Sequence, residues 1–360
     1  MPTLVFTGGH HTSALAVANY LQKRGWDIIW FGHKKSMWGD ANDSAEYQDV
    51  TSFNITFYDL KAGKLSASLH PLQLARIPWG FVQAFSWLFK LKVSLGSNLA
   101  GIVSFGGYLS VPTVLSGWLL GIPSLTHEQT TSAGFANRLL SHFVKKIALT
   151  WPESQPYFDK SKTILVGLPL RTNFVKNLTG RLKKTTPSPK TIFVTGGKQG
   201  SHVINETLFS LVPVLSRDFH IIHQTGTNSL YHDLTIATSL HTKFPNYLPF
   251  GFDSHKFSSA ISTCDVCISR AGAHTVYELG VMGVRSVLIP LPNSSNHEQD
   301  QNARMLMRHG LAVILPQSDL SPTSLTHAIS QALSLTPQPI DLPRDSAKHM
   351  ANLITTTFSS

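Results

Sequence analysis

Residues 3–31 read TLVFTGGHHTSALAVANYLQKRGWDIIWF, and this stretch decides the fold. A short β-type run at 3–6 leads into a glycine loop. The loop is followed by apolar residues with the spacing of one helix face, Ala14, Val17, Ala18 and Leu21. Gly25 is placed to end that helix, and 27–31 is a second β-type run. Strand, glycine loop, helix and strand in this order predict the opening of a parallel α/β sheet.

The same order returns at residue 191. A strand at 192–194, the loop GGKQG at 196–200, a helical face beginning at Ile204 and a strand at 220–223 follow one another. Two such openings in a chain of 360 residues predict an α/β protein of two Rossmann-like domains, each with a parallel sheet.

A polar stretch rich in Pro, Thr and Lys, NLTGRLKKTTPSPK at 177–190, separates the two openings and has the composition of a linker. We therefore predict a first domain at 1–166, a linker at 167–190 and a second domain at 191–340. A final helix at 344–358 follows a proline-rich connector, and we expect it to pack back on the first domain.

The composition limits the class of protein. The formal net charge of +10 suits nucleic acid, anionic lipid or phosphorylated ligands, without choosing among them. Cys264 and Cys267 are the two cysteines, and CDVCIS reads as a buried strand on which they would face opposite sides, so we predict no metal or redox site. The sequence predicts no signal peptide and no membrane-spanning segment, and the cysteine count fits a reducing cytoplasm.

Three glycine loops indicate a phosphorylated ligand: TGGHHTS at 7–13, SFGGYLS at 104–110 and TGGKQGS at 195–201. Each follows an apolar strand and precedes a helix, whose first N–H groups favour an anion. None matches GxGxxG or the P-loop pattern, which argues against NAD and ATP. A single loop of this kind is as often a plain tight turn, but three together favour a diphosphate.

Several longer motifs resemble those of the MurG glycosyltransferases. They are SFGGYLSVP, GIPSLTHEQTTSAGFANRLL, GLPLR, VTGGKQGSHVIN and SRAGAHTVYELGVMGVRSVLIPLP followed by HEQDQNAR. The resemblance covers nearly the whole chain. It implies a GT-B fold, in which two Rossmann-like domains with parallel sheets face a central cleft. It also implies inverting transfer of N-acetylglucosamine from UDP-N-acetylglucosamine to lipid I, forming lipid II for peptidoglycan, with no cofactor and no metal held by the protein.

The resemblance also assigns residues. Glu278 is implied to hold the uridine ribose, and Phe252 to contact uracil through its backbone. The other donor-side positions are Thr7, Gly8, Gly9, Thr130, Arg171, Gly197, Lys198, Gln199, Ala271, Gly272, Ala273, Glu298 and Gln299. The acceptor-side positions are Gly106, Gly107, Tyr108 and His127. Ordinary helix surface remains the alternative for Glu278, Glu298 and Gln299, and a hinge salt bridge for Arg171.

His10 is the candidate general base, since a neutral imidazole can take the proton of an attacking hydroxyl, and Glu128 is the second candidate. A hydrogen-bond donor to phosphate is an equal alternative for His10. Thr130, Leu168 and Lys198 depart from the family pattern, which commonly has Asn, Asn and Ser there, and the first glycine loop is shorter. These departures leave the exact donor and acceptor open.

An aromatic stretch, LARIPWGFVQAFSWLFKLKV at 74–93, predicts a membrane-facing surface. Aromatic side chains beside cations suit the lipid interface, although the stretch is too interrupted to span a bilayer. The residues assigned to it are Trp79, Phe85, Trp87, Lys90 and Lys92, with Arg76 and Trp118 nearby. We expect half of the aromatics to be core. The enzyme would then be peripheral, on anionic lipids at the cytoplasmic face of the cell membrane, without a nucleic-acid partner.

Three other functions remain open from the sequence. UDP-N-acetylglucosamine 2-epimerases share the expected fold and ligand but have no need of a membrane surface. A non-catalytic subunit that binds nucleotide sugar or lipid is the second alternative. Transfer to a different lipid, such as a diacylglycerol, is the third.

Overall fold

The computed structural model describes residues 1–35, 43–63, 71–170, 189–292, 294, 297–337 and 340–359, with the backbone alone for 71–76. The predicted residues Arg76 and Arg171 therefore lie outside the described side chains, as does most of the predicted linker. The chain divides into two compact units, one of residues 1–171 with 345–360 and the other of residues 172–344.

The described part of the first unit contains a seven-stranded sheet. Its strands are Thr3–Thr7 (β1), Asp27–Gly32 (β2), Thr56–Asp59 (β3), Leu99–Ser104 (β4), Ser124–Glu128 (β5), Lys146–Leu149 (β6) and Thr163–Leu165 (β7). They are parallel in the order β3-β2-β1-β4-β5-β6-β7. The helices are His11–Gln22 (α1), Ala45–Ser52 (α2), Pro71–Leu95 (α3), Ser110–Leu119 (α4) and Phe135–Leu140 (α5).

Apolar residues of β1 fill a core on each face of this sheet. Leu4 and Phe6 belong to one buried cluster and Val5 to another, because successive side chains of a strand point to opposite faces. A parallel sheet covered by helices on both faces requires such continuously apolar strands, which is why TLVF, without polar alternation, forms β1.

The second unit repeats this plan in its described residues. Its strands are Lys190–Thr195 (β8), Phe219–Gln224 (β9), Tyr247–Phe250 (β10), Val266–Ser269 (β11), Arg285–Leu288 (β12) and Ala312–Ile314 (β13). They are parallel in the order β10-β9-β8-β11-β12-β13. The helices are His202–Leu215 (α6), Asp233–Lys243 (α7), Ser254–Thr263 (α8), Ala273–Met282 (α9), Glu298–Arg308 (α10) and Pro322–Ser334 (α11).

The strand orders place a switch point in each sheet. In the first unit, the connection after β1 leads to β2 on one side of that strand pair, and the connection after β4 leads to β5 on the other side. In the second unit, the connections after β8 and β11 diverge in the same way, to β9 and to β12. In sheets of this kind, ligands bind in the crevice outside the carboxyl ends of the strands at that point. The glycine loops at 7–13, 104–110 and 195–201 follow β1, β4 and β8, so all three lie at a switch point.

The last helix, Ser346–Phe358 (α12), belongs to the first unit. Met350 and Ile354 are buried in the same apolar cluster as Leu4, and Arg24, just after α1, donates to Asn352 Oδ1 at 2.8 Å. The Phe358 ring lies against Gly101, where a Cβ would be 2.6 Å from the ring. The end of the chain therefore completes a core that the first residues begin.

Two smaller expectations can be compared with the structure. Cys264 lies at the end of α8 and only Cys267 lies in β11, so the prediction of one strand holding both was wrong, although both side chains are buried. Among the described helices, none combines the length and the hydropathy required to cross a membrane.

Candidate active site

Two predicted glycine loops meet at the switch point of the first unit. Gly9 N donates to Gly106 O at 3.0 Å. Gly8 has a φ of +132°, and a Cβ there would lie 2.7 Å from that same oxygen. Gly107 has a φ of +79°, and its Cβ would lie 3.1 Å from Gly9 N. Only glycine fits these approaches, so the two loops form one closely packed edge beside β1 and β4.

His10 follows this edge and directly precedes α1. Its side chain is half-buried, and no hydrogen bond to its imidazole is found within the described residues. Burial lowers the pKa of His10 below its usual value, the Glu128 carboxylate opposes that shift, and His11 adds to it. The imidazole is therefore neutral at neutral pH, as a general base must be.

Glu128, the second predicted catalytic residue, has a fully engaged carboxylate. Oε1 accepts from the backbone N and the hydroxyl of Thr130 at 2.9 and 2.6 Å, and Oε2 accepts from Gly134 N and Asn137 Nδ2, both at 3.0 Å. The Thr130 hydroxyl also lies against Ser132 O. The loop from β5 to α5 is thus folded around Glu128, and the hydroxyl of Thr130, a predicted donor contact, is already occupied.

His127 and Thr7 are fully buried, so neither side chain is exposed to a ligand, and the predicted contacts of His127 with an acceptor and of Thr7 with a donor stay predictions. Burial lowers the pKa of His127 to about 4, which leaves the ring neutral. Its Nε2 lies 3.2 Å from Gly167 O and 3.1 Å from Thr150 Oγ1. His127 therefore ties β5 to the ends of the neighbouring strands.

Tyr108, a predicted acceptor contact, remains partly accessible at the end of the second loop. Its ring lies 5.7 Å from the His33 ring. Burial, with a smaller contribution from Glu46, raises its pKa to about 12, so its hydroxyl is neutral and can donate or accept.

The third glycine loop follows β8 in the second unit. A Cβ at Gly200, whose φ is +84°, would lie 1.9 Å from Thr225 O, so only glycine is tolerated. Gly197 N donates to Thr195 Oγ1 at 3.0 Å, and Gln224 Nε2 donates to the same hydroxyl at 2.9 Å. The loop is thereby held against the carboxyl end of β9.

A cavity of about 520 Å³ opens beside this loop, at the switch point of the second unit. The first turns of α6 and α9 both border it, and helix N-termini favour anions. The cavity is lined by Gly196, Gly197, Gly200, Ser201, His202, Val203, Arg270, Gly272, Thr275, Leu291, Gln299 and Gln317. A loop, two helix starts and polar side chains together suit a phosphorylated ligand.

Arg270 is one of the residues of this cavity that the sequence interpretation missed. Its Nη1 donates to the carbonyls of Ile289 and Pro290 at 3.2 and 3.4 Å, and its Nη2 to Ser201 Oγ and Gln317 Oε1 at 2.9 and 2.6 Å. Burial lowers its pKa, yet a guanidinium stays charged at neutral pH. Arg270 is the arginine of the SRAG motif, and that position was the available signal.

Predicted donor residues lie at and around the cavity. Gly197, Gly272 and Gln299 line it, and Gln299 Oε1 accepts from Leu291 N at 3.0 Å. Ala271 and Ala273 are buried on either side of Gly272. Ala271 and Ala273 thus shape the turn into α9 rather than offering side chains.

The remaining donor candidates do not line the cavity. Lys198 and Gln199 are exposed in the glycine loop, and the Lys198 ammonium lies 5.6 Å from the centre of the Phe252 ring. Glu278 on α9 and Glu298 at the start of α10 are both half-buried. Their contact with a nucleotide sugar remains a prediction.

The first unit also carries an exposed apolar groove of about 490 Å³ between α3 and α4. It is lined by Phe81, Val82, Phe85, Ser86, Phe89, Ser116 and Leu119. Trp79 beside it is 56% exposed, and Phe85 is 40% exposed. Lys90 and Lys92 are exposed, with Lys92 Nζ donating to Leu120 O, and Trp118 is exposed as well.

Trp87 does not belong to this surface, so its predicted place there was wrong. Its ring lies 5.3 Å from the ring of Phe31 and 5.1 Å from that of Tyr58. It is partly buried against the sheet, on the opposite side of α3 from the groove.

Comparison with known proteins agrees with this architecture. Residues 5–149 match the N-terminal domain of glycosyltransferase family 28, and residues 191–356 match its C-terminal domain. A relative from Caldanaerobacter subterraneus is 31% identical over 354 residues, covering 96% of this chain and 93% of the relative. It is named UDP-N-acetylglucosamine–N-acetylmuramyl-(pentapeptide) pyrophosphoryl-undecaprenol N-acetylglucosamine transferase.

Two solved structures share the fold. MurG of Acinetobacter baumannii has a TM-score of 0.71 and 26% identity, covering 99% of this chain and 100% of that one. UDP-GlcNAc 2-epimerase of Neisseria meningitidis has a TM-score of 0.60 and 13% identity, with full coverage of both chains, and at that identity the likeness shows the fold alone. The predicted GT-B fold and the predicted transferase class are confirmed. This chain is a glycosyltransferase that belongs to family 28 and, within it, to the MurG-type transferases.

Proposed function

We propose that this enzyme transfers N-acetylglucosamine from UDP-N-acetylglucosamine to lipid I, a lipid-linked muramyl pentapeptide, and so forms lipid II. The cavity of the second unit carries the proposal, because its glycine loop, two helix starts and Arg270 suit the diphosphate of a nucleotide sugar. Relatives over nearly the whole chain are named for this reaction.

An assay of the purified protein with UDP-N-acetylglucosamine and short-chain lipid I tests the proposal. We expect release of UDP and a product that contains both sugars. A diacylglycerol acceptor in a parallel reaction tests the alternative lipid. Turnover of UDP-N-acetylglucosamine to its 2-epimer without any acceptor would instead show that the enzyme is an isomerase.

In the proposed mechanism, His10 acts as the general base. The acceptor hydroxyl attacks C1 of the sugar and gives its proton to the His10 imidazole, while the bond from C1 to the diphosphate oxygen breaks. UDP leaves with the electron pair of that bond, and the configuration at C1 inverts. The neutral state of His10 and the absence of a hydrogen bond to its ring within the described residues support this role.

Glu128 has a different role in this proposal. Its two oxygens already accept four hydrogen bonds, so neither is available to take a proton from a substrate without unfolding the loop around it. Its charge opposes the lowering of the His10 pKa. We therefore assign to Glu128 the positioning of the loop at 129–134 and the start of α5, together with the tuning of His10.

The departures from the family pattern bear on the proposed donor. The Lys198 ammonium stands in the glycine loop, where a cation can neutralise charge on a leaving diphosphate. Gly197, Gly272 and Gln299 remain at the cavity wall. The lysine therefore adds to phosphate binding without removing a lining residue of the cavity.

Replacement of Glu278 by alanine should weaken UDP binding, because a charge-assisted bond to the ribose hydroxyls would be lost, at about 1.5–3 kcal/mol. The dissociation constant of UDP would rise roughly 10-fold to 150-fold. Calorimetric titration with UDP measures it. Asp218→Ala, at an exposed position of the same unit, is the matched control. Unchanged UDP affinity in Glu278→Ala would mean that Glu278 is ordinary helix surface.

We also propose that the apolar groove, with Trp79, Lys90 and Lys92, binds the surface of anionic membranes at the cytoplasmic face. Exposed aromatic rings suit the lipid interface, and each basic residue near an anionic surface contributes about 1 kcal/mol. A lipid-linked acceptor requires the enzyme to work at such a surface. The exposed apolar area, unusual for a surface that meets only water, supports the proposal.

The double variant Trp79→Ser, Phe85→Ser should no longer sediment with phosphatidylglycerol vesicles, while UDP binding persists. Wild-type binding should weaken in salt without disappearing, since apolar contacts remain. Phe53→Ser, an exposed aromatic elsewhere in the first unit, should behave as wild type. If the wild type stays in the supernatant at low salt, this surface does not bind membranes.

A further inference from the structure

His202 is held in one position at the wall of the donor cavity. It is the first residue of α6, and its Nδ1 lies 2.9 Å from Asp233 Oδ1. Its ring stacks on that of Tyr231, with the ring centres 3.8 Å apart and the planes 8° from parallel. The contact with the Asp233 carboxylate fixes one ring nitrogen and the stack fixes the ring plane, so the side chain has little freedom left.

A buried chain of hydrogen bonds stands behind His202. Asp233 is 4% exposed, and its Oδ2 accepts from Asn205 Nδ2 at 2.7 Å. Asn205 Oδ1 lies 3.0 Å from His223 Nε2, and His223 Nδ1 lies 2.7 Å from the Tyr247 hydroxyl. Burial lowers the pKa of His223 to about 3, so this ring is neutral and donates through Nε2 while accepting at Nδ1.

Each member of this chain has the donor or acceptor that its neighbour requires. Such satisfied buried networks are rigid, and an unpaired member would be costly. The network begins at Tyr247 in β10, passes His223 in β9 and Asn205 in α6, and ends at His202.

The position of His202 identifies the ligand group. It lines the cavity together with Arg270 and the glycine loop, at the N-terminal end of α6, where an anion is favoured. Asp233 occupies Nδ1 and leaves Nε2, whose nearest carboxylate is the exposed side chain of Glu206 at 3.9 Å. We propose that His202, with a proton on both ring nitrogens, donates from Nδ1 to Asp233 and from Nε2 to a phosphate oxygen of the nucleotide-sugar diphosphate, and so lies between two anions.

This proposal rests on the UDP-sugar donor proposed above and assigns one of the contacts with its diphosphate to His202. It predicts that His202 contributes to the affinity for the phosphates of UDP and not to the affinity for its nucleoside. Replacing a residue that is needed only for the folding of α6 would weaken the binding of UDP and of uridine by the same factor. The comparison of UDP with uridine, which lacks phosphate, therefore separates the two roles.

The test is calorimetric titration of the full chain with UDP and with uridine. In His202→Gln, which keeps a polar side chain of similar length but not the charge, the dissociation constant of UDP should rise about 10-fold, the effect of one charge-assisted bond. The constant for uridine should change less than about twofold. His202→Ala should give the same pattern. His327→Ala, an exposed histidine on α11 of the same unit, should change neither constant.

The outcomes separate the two proposals. If the wild type binds UDP more tightly than uridine and both His202 variants show the same ratio of the two dissociation constants, His202 does not bind phosphate. The proposed donor site is then still supported. If both ligands weaken equally in both variants, His202 supports only the fold of the cavity and the proposal is wrong. If the wild type binds neither UDP nor uridine, the proposed donor and the proposed role of His202 are both wrong.

Discussion

Replacing His10 with alanine is expected to lower kcat by about 10²–10⁴, because the acceptor hydroxyl would lose the group that takes its proton. UDP affinity should stay close to wild type, since the donor cavity lies in the residues of the second unit. Steady-state kinetics with short-chain lipid I, together with UDP titration, would measure both. His142→Ala, at an exposed histidine of the first unit, should keep wild-type kinetics.

The pH dependence adds a test of the same assignment. Burial lowers the pKa of His10, so the acidic limb of kcat/KM should lie below pH 6.5 in the wild type and vanish in His10→Ala. Glu128 raises the pKa of His10 by stabilising its protonated form. Removing that charge in Glu128→Gln should therefore move the limb to still lower pH.

The two candidate bases give opposite results in this experiment. If Glu128 were the base, Glu128→Gln would abolish the limb and His10→Ala would retain it. A loss of only a few-fold in His10→Ala would assign His10 to packing or to a phosphate contact. Thermal unfolding of both variants should accompany the kinetics, because Glu128→Gln alters a buried carboxylate that holds the loop at 129–134 and the start of α5.

The sequence was sufficient for the fold because its signals are local. Apolar strands buried on both faces, glycine loops that admit no side chain and helix faces with regular spacing each need only neighbouring residues. Gly200 is visible in the sequence as part of a glycine loop after an apolar strand, although the contact that requires it, with the backbone oxygen of Thr225, joins residues distant in sequence. Ser321 before Pro322 is likewise a local N-cap signal, and in the structure it caps α11, with Ser324 completing a capping box.

What the sequence does not show is burial by residues distant in sequence. Trp87 resembles its exposed neighbours Trp79 and Phe85, but it meets Phe31 and Tyr58 on β2 and β3. His127 lies at the end of a central strand, where its neighbours across the sheet cover it completely. Neither the number of aromatic residues in a helix nor the polarity of a strand end reveals such tertiary contacts.

Arg270 was missed for a related reason. In the sequence it is one basic residue between a strand and a helix, and nothing local shows that its guanidinium meets four acceptors. Those acceptors are the carbonyls of Ile289 and Pro290, the Ser201 hydroxyl and the Gln317 amide oxygen, which come from three separate segments. A planar fork with fixed donors can satisfy them together, whereas a lysine ammonium cannot.

Replacing Arg270 with alanine should therefore impair binding and stability together. The cavity would lose its half-buried cation, and kcat/KM for the sugar donor should fall about 100-fold, which corresponds to roughly 2.7 kcal/mol. Four acceptors would lose their donor, and the free energy of unfolding should fall by about 1–3 kcal/mol. Donor kinetics and denaturant unfolding measure the two effects.

Two further variants separate the charge of Arg270 from its geometry. Arg270→Lys keeps the positive charge but not the fork, so we expect it to recover part of the donor affinity and little of the lost stability. Arg217→Ala, at an exposed position after α6, is the matched control and should leave both quantities unchanged. If Arg270→Lys equals the wild type in both, the four hydrogen bonds contribute nothing, and Arg270 acts through charge alone. If Arg270→Ala binds the donor as the wild type does, the guanidinium only stabilises the fold of the second unit. The phosphate must then be bound by the glycine loop and the first turns of α6 and α9.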